Sequence, residues 1–215
     1  MRTAVIVRAN ELAAAQWGLF TAAQAQTQGL SRMQLSRMVD AGLLDRLEYG
    51  VYASPAVQGD HLLPLRSAWL ALQPARSVQE RLADLPSAGV VSHSSAAQLH
   101  GLGDLLADEH EFLLPDRFQS RRVGVRMRRA VLDASEVTIA AGLPVTTAAR
   151  TIADLLAIGH DNDHVATVTA DALRLGLTDR RTLAVALENA AARRGEPSGA
   201  ALVEILTRTH TRMDQ

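Results

Sequence analysis

The sequence predicts an α+β protein that is mainly helical and divided into two parts. Two short, well-capped helices followed by an alternating stretch around a glycine predict a compact module over residues 1 to 57. Long helical patterns interrupted by short apolar stretches predict a mixed, mostly helical domain with a small sheet over residues 62 to 215. With 47% apolar residues, the chain can build a core in each part.

The first part opens with a helical pattern over residues 3 to 17, which Gly18 ends. The segment FTAAQAQTQG then places Thr21 at a helix N-cap with Gln24 three residues later, which is the spacing of a capping box. Gly29 can adopt the left-handed conformation that stops this helix. A short helix is therefore predicted between Thr21 and Gly29.

A second short helix follows in the stretch GLSRMQLSRMVDAGLL. Ser31 and Gln34 again have the spacing of a capping box, and Leu30 and Leu35 occupy the positions of a hydrophobic staple. Gly42 can stop the helix after about three turns. The two short helices are thus joined by a glycine-leucine turn.

Downstream, the stretch LLDRLEYGVYAS alternates apolar and polar residues around Glu48, Tyr49 and Gly50, which suits a two-stranded hairpin. Helix, turn, helix and hairpin, in this order, form a winged helix-turn-helix, in which the second helix enters the major groove of DNA. The alternative is a winged fold that is used only for contacts with proteins.

If the module binds DNA, the positions of the second helix that are turned away from Leu35, Met38 and Val39 face the groove. They include Met33 and several polar residues. The arginines could contact phosphates or guanine edges, a glutamine could contact adenine, and an arginine on the wing could contact the DNA backbone. The predicted DNA-binding residues are Ser31, Arg32, Gln34, Ser36, Arg37 and Arg46.

The charge of the chain limits the affinity that this module can reach for DNA. The net charge is −1, and residues 1 to 60 hold five arginines against five acidic residues. Because the neutralisation of phosphates supplies most non-specific affinity, a monomer should bind DNA weakly. Useful affinity would need paired sites, a dimer, or basic residues from another part of the chain.

Composition excludes several classes of protein. Without cysteine, the chain cannot form disulfides, zinc fingers or thiol-based active sites. No run of 18 apolar residues occurs, and the N-terminal stretch MRTAVIVRANELAAA is interrupted by Arg8 and Glu11. We therefore expect a soluble, cytoplasmic protein without a membrane partner. All 22 basic residues are arginine, which weakens an argument from any single arginine.

A stretch rich in turn-forming residues, ASPAVQGDHLLP, links the two parts. After it, GVVSH predicts a short buried strand that runs into a helix over SSAAQLHG, while EFLLP and VGVRMRRAV predict two further strands. The remaining patterns are helical, and they cover about residues 62 to 73, about 76 to 84, the segment TTAARTIADLLAIG, about 162 to 175, about 179 to 194, and a last helix from near Pro197.

Two histidines of the second part, His93 and His100, lie seven residues apart. This spacing can place both imidazoles on one face of a helix, as part of a metal or acid-base site. The further ligands that a metal requires are not obvious nearby. The alternative is a structural role, in which Ser92 or Ser94 caps the helix and the histidines pack or form hydrogen bonds.

The sharpest charge pattern is a change of sign in the middle of the chain. Five acidic residues and no arginine lie between 104 and 116, and six arginines and no acidic residue lie between 117 and 129. On an extended strand Arg122, Arg126 and Arg128 share one face. That face could hold an acidic protein, RNA or the phosphate of a nucleotide. Equally, it could be a solvated face whose arginines pair with the acidic run before it.

In the segment PVTTAARTIADLL, Thr146 or Thr147 caps a helix that carries Arg150 and Asp154 four residues apart. A pair at this spacing on a surface usually stabilises a helix by only a few tenths of a kcal/mol. No phosphate-binding loop, zinc-protease motif or nucleophile elbow occurs. The sequence therefore predicts no metal site and leaves any catalytic residue unassigned.

Four segments, in the same order and at the same spacing, resemble the AbiEi-type antitoxins, which are the partners of nucleotidyltransferase toxins in bacterial toxin-antitoxin systems. The segments are the capped helix-turn-helix that ends in YGVYASP, then VVSHSSAAQLHGL, GVRMRR and LPVTTAARTIADLL. The resemblance runs from about residue 8 to about residue 175, and the helices past residue 176 match only in character.

The resemblance implies an N-terminal winged domain that represses its own operon by binding promoter DNA with repeated sites. It also implies a C-terminal domain that counters a cognate nucleotidyltransferase toxin. The DNA contacts that it implies are Arg32, Gln34, Arg37 and Arg46. The strand pattern described above, rather than the resemblance, suggests Arg122, Arg126 and Arg128 as contacts for the toxin or a phosphate. The residues that belong to the matching motifs but receive no role from the resemblance are His93, His100, Arg150 and Asp154.

Three functions are compatible with these observations. The leading hypothesis is a repressor and antitoxin without catalysis, which requires no cofactor. The second is an antitoxin that inactivates its toxin by covalent modification, for instance as an atypical phosphotransferase that uses ATP and Mg²⁺. The third is a transcription regulator whose C-terminal domain senses a ligand.

Overall fold

The computed structural model describes residues 3–105, 107–116 and 122–213. These residues form two compact units, with the division between Asp84 and Leu85. Each unit combines several helices with one small sheet, which confirms the predicted α+β, mainly helical fold.

The first unit begins with the helices and strands of a winged helix-turn-helix. Its elements are α1 (Thr3–Ala14), β1 (Leu19–Thr21), α2 (Ala22–Thr27), α3 (Arg32–Asp40), β2 (Asp45–Glu48) and β3 (Val51–Ala53). The strands form one sheet in the order β1-β3-β2, and both pairs are antiparallel. Gly50 has a φ of +80° at the turn between β2 and β3, so the predicted glycine hairpin is confirmed.

Both predicted capping boxes are present. At the start of α2, Thr21 Oγ1 accepts a hydrogen bond of 3.1 Å from the Gln24 N–H, and Gln24 Oε1 accepts one of 2.8 Å from the Thr21 N–H. At the start of α3, Ser31 and Gln34 form the same reciprocal bonds, of 3.3 and 2.7 Å. Because each box joins residues only three positions apart, local sequence is enough to specify it.

The core of the winged module packs its helices against the sheet. Phe20 of β1 stacks on Tyr52 of β3 with ring centroids 5.8 Å apart. Leu35 and Met38 of α3 are fully buried in the same apolar cluster. The burial of these two residues determines which face of α3 points outward.

Two further helices, α4 (Leu63–Leu72) and α5 (Val78–Leu82), follow a short 3₁₀ helix (Pro55–Val57) and belong to the first unit. The sequence patterns had placed these helices in the second part, residues 62 to 215. Trp69 of α4 meets Trp17 edge to face, with ring centroids 5.8 Å apart, and the Val78 N–H of α5 donates to Gln16 Oε1 at 3.1 Å. These contacts join residues that are far apart along the chain, so sequence spacing does not predict them.

The second unit places a five-stranded sheet against a group of helices. Its elements are β4 (Val90–Val91), α6 (His93–His100), β5 (His110–Leu114), β6 (Val125–Arg129), β7 (Val137–Ala140), β8 (Leu143–Thr146), α7 (Ala148–Ala157), α8 (Asn162–Arg174), α9 (Arg180–Arg194) and α10 (Gly199–Met213). The strand order is β6-β5-β4-β8-β7. The central strands β4 and β8 are parallel, and each runs directly into a helix. The starts of α6 and α7 therefore lie at the same edge of the sheet.

The helices of the second unit share one apolar core. Leu155 of α7, Val165 of α8 and Leu187 of α9 are fully or almost fully buried in it. At the start of α10, Gly199 packs so closely on α9 that a Cβ atom there would lie 1.9 Å from the Ala184 carbonyl oxygen. Within the described part of the chain, no helix is both long and apolar enough to cross a membrane.

Candidate nucleic-acid interface and polar cluster

The outward face of α3 carries most of the predicted DNA contacts. Arg32, Ser36 and Arg37 are exposed, whereas Leu35 and Met38 are buried. Ser31 is exposed at the N-cap of the helix. The capping box starts the helix at a defined residue and the buried pair sets its rotation, so the exposed side chains have fixed positions on its surface.

Gln34 differs from the other predicted DNA contacts because its side chain already has a structural partner. Its Oε1 accepts the 2.7 Å hydrogen bond from the Ser31 N–H, and the residue is half-buried. A bidentate contact with adenine uses both the oxygen and the nitrogen of a glutamine amide. Such a contact would compete with the capping box for Oε1, so Gln34 is better suited to holding the helix start.

The wing adds an exposed arginine and an exposed aromatic ring. Arg46 lies on β2, and its guanidinium carbon is 5.6 Å from the centroid of the Tyr49 ring, which is 77% exposed. Arg46 was predicted from the sequence as a DNA contact, whereas Tyr49 was predicted only as a residue of the hairpin turn. The signal for Tyr49 was its position beside Gly50 at the hairpin turn, where a large side chain cannot reach the core.

The arginine-rich strand of the second unit pairs with the acidic residues before it. Arg126 Nη2 lies 2.6 Å from Glu109 Oε2, and Arg128 Nη1 lies 2.7 Å from Glu111 Oε1. In the parallel pairing of β5 with β6, each arginine reaches the carboxylate two residues before its register partner. This arrangement supports the alternative in which the arginines pair with the acidic run.

Arg122 does not share the strand face that the sequence analysis assigned to it. The strand β6 begins only at Val125, and Gly124 has a φ of +75°, which interrupts the extended backbone. Alternation of side chains across a strand therefore starts after Arg122. Only Arg126 and Arg128 of the predicted set lie on β6.

His93 stands at the junction between β4 and α6 with an unusual backbone. Its φ is +51°, in the left-handed region, and only 3% of the residue is exposed. Its Nδ1 lies 2.9 Å from Ser92 Oγ. Burial, together with the positive charge of Arg128, lowers the pKa of His93 to about 4, so the imidazole is neutral at pH 7.

His100 has different surroundings from His93. Its Nε2 donates a 2.8 Å hydrogen bond to the Thr146 carbonyl at the end of β8. The two histidines thus make separate hydrogen bonds, and Ser92, at the N-cap of α6, uses its Oγ for His93 rather than for a capping bond. Within the described residues, no group of three or more histidine, aspartate or glutamate side chains is placed to hold a metal ion.

Arg150 and Asp154 form part of a larger ion cluster rather than a simple surface pair. Arg150 Nε lies 2.8 Å from Asp154 Oδ1, and Arg150 Nη1 lies 2.7 Å from Glu136 Oε1. Asp154 is 8% exposed, and its Oδ2 is buried without a hydrogen-bond partner among the residues that the structure describes. Burial raises the pKa of Asp154, although the charge of Arg150 opposes this rise.

Sequence reasoning missed the two glutamates that complete this polar cluster, Glu111 and Glu136. Glu111 accepts hydrogen bonds from the Ser94 N–H at 2.9 Å and from Arg128 at 2.7 Å, which ties the start of α6 to β6. Glu136 has a local signal, because it forms a capping box with Asp133, but its contact with Arg150 and the contacts of Glu111 join separate strands and helices, which local sequence does not predict. The cluster lies near the starts of α6 and α7, and its three carboxyl groups, Glu111, Glu136 and Asp154, are each paired with one of two arginines, Arg128 or Arg150.

The comparisons with known proteins identify both units. A family model described as the AbiEi antitoxin C-terminal domain matches residues 87–207, which is more than half of the chain. The chain belongs to the AbiEi antitoxin family. A second family model, described as a transcriptional regulator, AbiEi antitoxin, matches residues 7–55 of this AbiEi antitoxin, and these residues span α1 to β3. The antitoxin and DNA-binding regulator roles inferred from the sequence are therefore supported.

The fold of this AbiEi antitoxin is similar to that in the crystal structure of the RV2827C protein from Mycobacterium tuberculosis. The two chains are 18% identical, the TM-score is 0.57, and the similarity covers 98% of this chain and 78% of that chain. At this level of identity the likeness shows a shared fold. The comparison with curated proteins gives no match.

The two family matches leave an interval of the antitoxin chain between them, after residue 55 and before residue 87. This interval contains α4 and α5, the helices that pack on the winged module. The structural unit that carries the candidate DNA-binding face is therefore larger than the segment that matches the regulator model.

Proposed function

We propose that this AbiEi antitoxin represses its own operon through α3 and the wing, and that it neutralises a cognate nucleotidyltransferase toxin through its second unit. The observation that carries the DNA-binding half is the exposed face of the capped helix α3. That face lies beside two short strands that form the wing, as in proteins that insert the second helix of the motif into the major groove.

The arginines of the two candidate sites, α3 and the polar cluster, differ in their partners, and this difference supports the DNA-binding half of the proposal. Arg126, Arg128 and Arg150 of the second unit each contact a carboxylate at 2.6 to 2.8 Å. Within the described residues, Arg32 and Arg37 of α3 have no such ion pair. An exposed guanidinium without a carboxylate partner gains most from a phosphate, because no existing ion pair must first be broken.

Because the net charge of the chain is small, the proposal includes two copies of the chain bound to the same promoter. With a net charge of −1, few phosphates can be neutralised by a single chain. Repeated sites in the promoter would let two chains bind together and add their contacts. Operator repeats spaced by about one helical turn, roughly 10 base pairs, would match this arrangement.

The DNA-binding half is tested with the full-length protein and a duplex from its own upstream region, by fluorescence anisotropy at several salt concentrations. Arg37→Gln should weaken binding about tenfold and reduce the salt slope by about one. Arg174→Gln serves as control, because Arg174 pairs with Asp171 on the surface of the second unit. Equal affinity and equal salt slope for Arg37→Gln and the native chain would refute the assignment of α3.

The toxin-neutralising half is supported by the match of the C-terminal domain model to residues 87–207. In the test, the full-length chain and the product of the adjacent toxin gene are expressed from promoters that the antitoxin does not control. Arg37→Gln should protect cells as well as the native chain does. Loss of protection in this variant would instead assign neutralisation to DNA binding.

A second candidate function is covalent modification of the toxin, with ATP and Mg²⁺ as cofactors. The observation that favours it is His93, which combines a left-handed backbone with burial among ionisable side chains, as functional residues often do. Intact-mass spectrometry of the toxin, co-expressed with the native chain or with His93→Asn, tests this candidate. A phosphate or nucleotide that only the native chain adds would favour it, and an unchanged mass would favour neutralisation without modification.

A further inference from the structure

Met33 lies on the outward face of α3, in the first turn of the helix. It is 64% exposed, although it is a large apolar residue. Arg37 lies four residues later, one turn away on the same side of the helix, and Ser36 lies three residues later. Met33 is also the second residue of α3, and in helix-turn-helix proteins the N-terminal residues of this helix contact the edges of the bases.

A methionine at this place has no role in the core of the unit. The core side of α3 is formed by Leu35 and Met38, which are fully buried, and Met33 points away from them. A thioether is only a weak hydrogen-bond acceptor, and it cannot pair with a phosphate. The methionine side chain can bury apolar surface, and its flexibility lets it adapt to the shape of a partner.

The surroundings of Met33 favour DNA over a protein as that partner. Arg32 and Arg37 flank it, and within the described residues neither forms an ion pair with a carboxylate. An apolar side chain between two exposed guanidinium groups matches a surface that offers negative charge around one apolar group. In the major groove, the apolar group is the 5-methyl of thymine, and phosphates border it on both sides.

We propose that Met33 is a specificity-determining residue that packs against the 5-methyl group of one thymine in each half-site of the operator. This inference rests on the proposed DNA-binding function of α3. Met33 then selects for an A·T pair at one position, while Arg37, one turn further along the helix, contacts the neighbouring base edge or phosphate. Removal of one buried methyl group should weaken binding about fourfold.

The test begins with a duplex selected from a random library by the full-length native protein, which serves as the probe. Each thymine of this duplex is then replaced singly by deoxyuridine, which lacks only the 5-methyl group. Fluorescence anisotropy should show one position per half-site at which the replacement weakens binding of the native chain about fourfold. At that same position, Met33→Ala should bind the thymine and deoxyuridine duplexes equally.

Two further arms separate the methyl group from other features of the base pair. Met33→Leu keeps an apolar side chain and should keep most of the preference for thymine over deoxyuridine. At the sensitive position, a C·G pair that carries 5-methylcytosine should bind the native chain better than the unmethylated pair does. Val185→Ala, which removes an exposed apolar side chain of α9, is the matched control and should behave as the native chain.

The outcomes distinguish this inference from the function on which it rests. If the native chain selects no duplex, the proposed DNA binding itself fails. If the native chain binds but no single deoxyuridine matters, or if the deoxyuridine effect persists unchanged in Met33→Ala, the role of Met33 is overturned. Because Met33 is exposed, Met33→Ala should retain the native circular dichroism melt, so a loss of discrimination would not reflect unfolding.

Discussion

Gln16 and Gln24 face each other in the first unit and exchange two amide hydrogen bonds of 3.0 Å each. Each amide also holds a backbone group from the segment that carries α4 and α5. Gln16 Oε1 accepts from the Val78 N–H at 3.1 Å, and Gln24 Nε2 donates to the Arg76 carbonyl at 2.8 Å. Both glutamines are buried, so this amide pair is a polar connection between the helix-turn-helix and the helices beyond the wing.

Removal of one member of the amide pair should destabilise the first unit. Gln16→Ala leaves the Val78 N–H and part of the Gln24 amide without partners, and we expect a loss of about 2 kcal/mol in the free energy of unfolding. Trp17 and Trp69, the two tryptophans of the chain, both lie in this unit, so urea denaturation followed by tryptophan fluorescence reports on it. Gln26→Ala, at an exposed position of α2, should change stability by less than about 0.5 kcal/mol. Equal effects of the two substitutions would contradict this role of the pair.

The stability of the second unit should depend on pH through His93. Burial, with a contribution from Arg128, lowers the pKa of His93 from 6.5 to about 4. Between these values the unfolded chain binds a proton that the folded chain does not bind. The free energy of unfolding should therefore fall as the pH is lowered from about 7 to about 4, by an amount on the order of 3 kcal/mol.

His93→Asn provides the comparison for this pH dependence, because asparagine tolerates the left-handed backbone and does not titrate. Urea denaturation followed by circular dichroism at pH 7, 6 and 5 gives the change of the free energy of unfolding with pH for each chain. The native chain should lose stability more steeply than His93→Asn over this range. Parallel slopes would show that His93 is protonated equally in the folded and unfolded states.

Loss of Arg150 should be costly because Asp154 is largely buried beside it. Arg150→Gln removes the guanidinium that contacts both Asp154 and Glu136, and we expect the free energy of unfolding to fall by about 3 kcal/mol. Arg174→Gln removes a surface pair with Asp171 and should cost less than about 1 kcal/mol.

A double-mutant cycle tests whether Arg150 and Asp154 are energetically coupled. It compares the free energies of unfolding of Arg150→Gln, Asp154→Asn and the double variant with that of the native chain. Adding Asp154→Asn to Arg150→Gln removes the buried charge that the single variant leaves without its partner. The double variant should therefore regain part of the lost stability. Strictly additive losses would show that the two side chains do not depend on each other.

The contact between α9 and α10 should not tolerate a side chain at Gly199. A Cβ atom there would lie 1.9 Å from the Ala184 carbonyl oxygen, and this neighbour is backbone. Gly199→Ala should therefore lower the free energy of unfolding by about 2 kcal/mol or more, measured by urea denaturation. Ala200→Ser, at the next and exposed position, should be nearly neutral. A neutral Gly199→Ala would mean that α10 can move away from α9 at little cost.

Features that depend on neighbouring residues could be predicted from the sequence. Both capping boxes and the hairpin turn at Gly50 are present as expected, because each is specified by residues within about four positions of one another. The winged order of elements and the mainly helical second unit follow from such local signals. The exposed face of α3 follows as well, because helical periodicity fixes which residues oppose Leu35 and Met38.

Sequence by itself thus determined the fold class, the helix boundaries around α3 and the arginines that this helix exposes. Only the tertiary structure decided that α4 and α5 pack on the winged module, that Arg126 pairs with Glu109, and that His93 adopts a left-handed backbone beside charged groups. The physical reason is the separation along the chain between the residues that interact. Caps and turns satisfy backbone groups within one turn of chain, whereas docking, ion pairing across strands and burial depend on partners that only folding brings together.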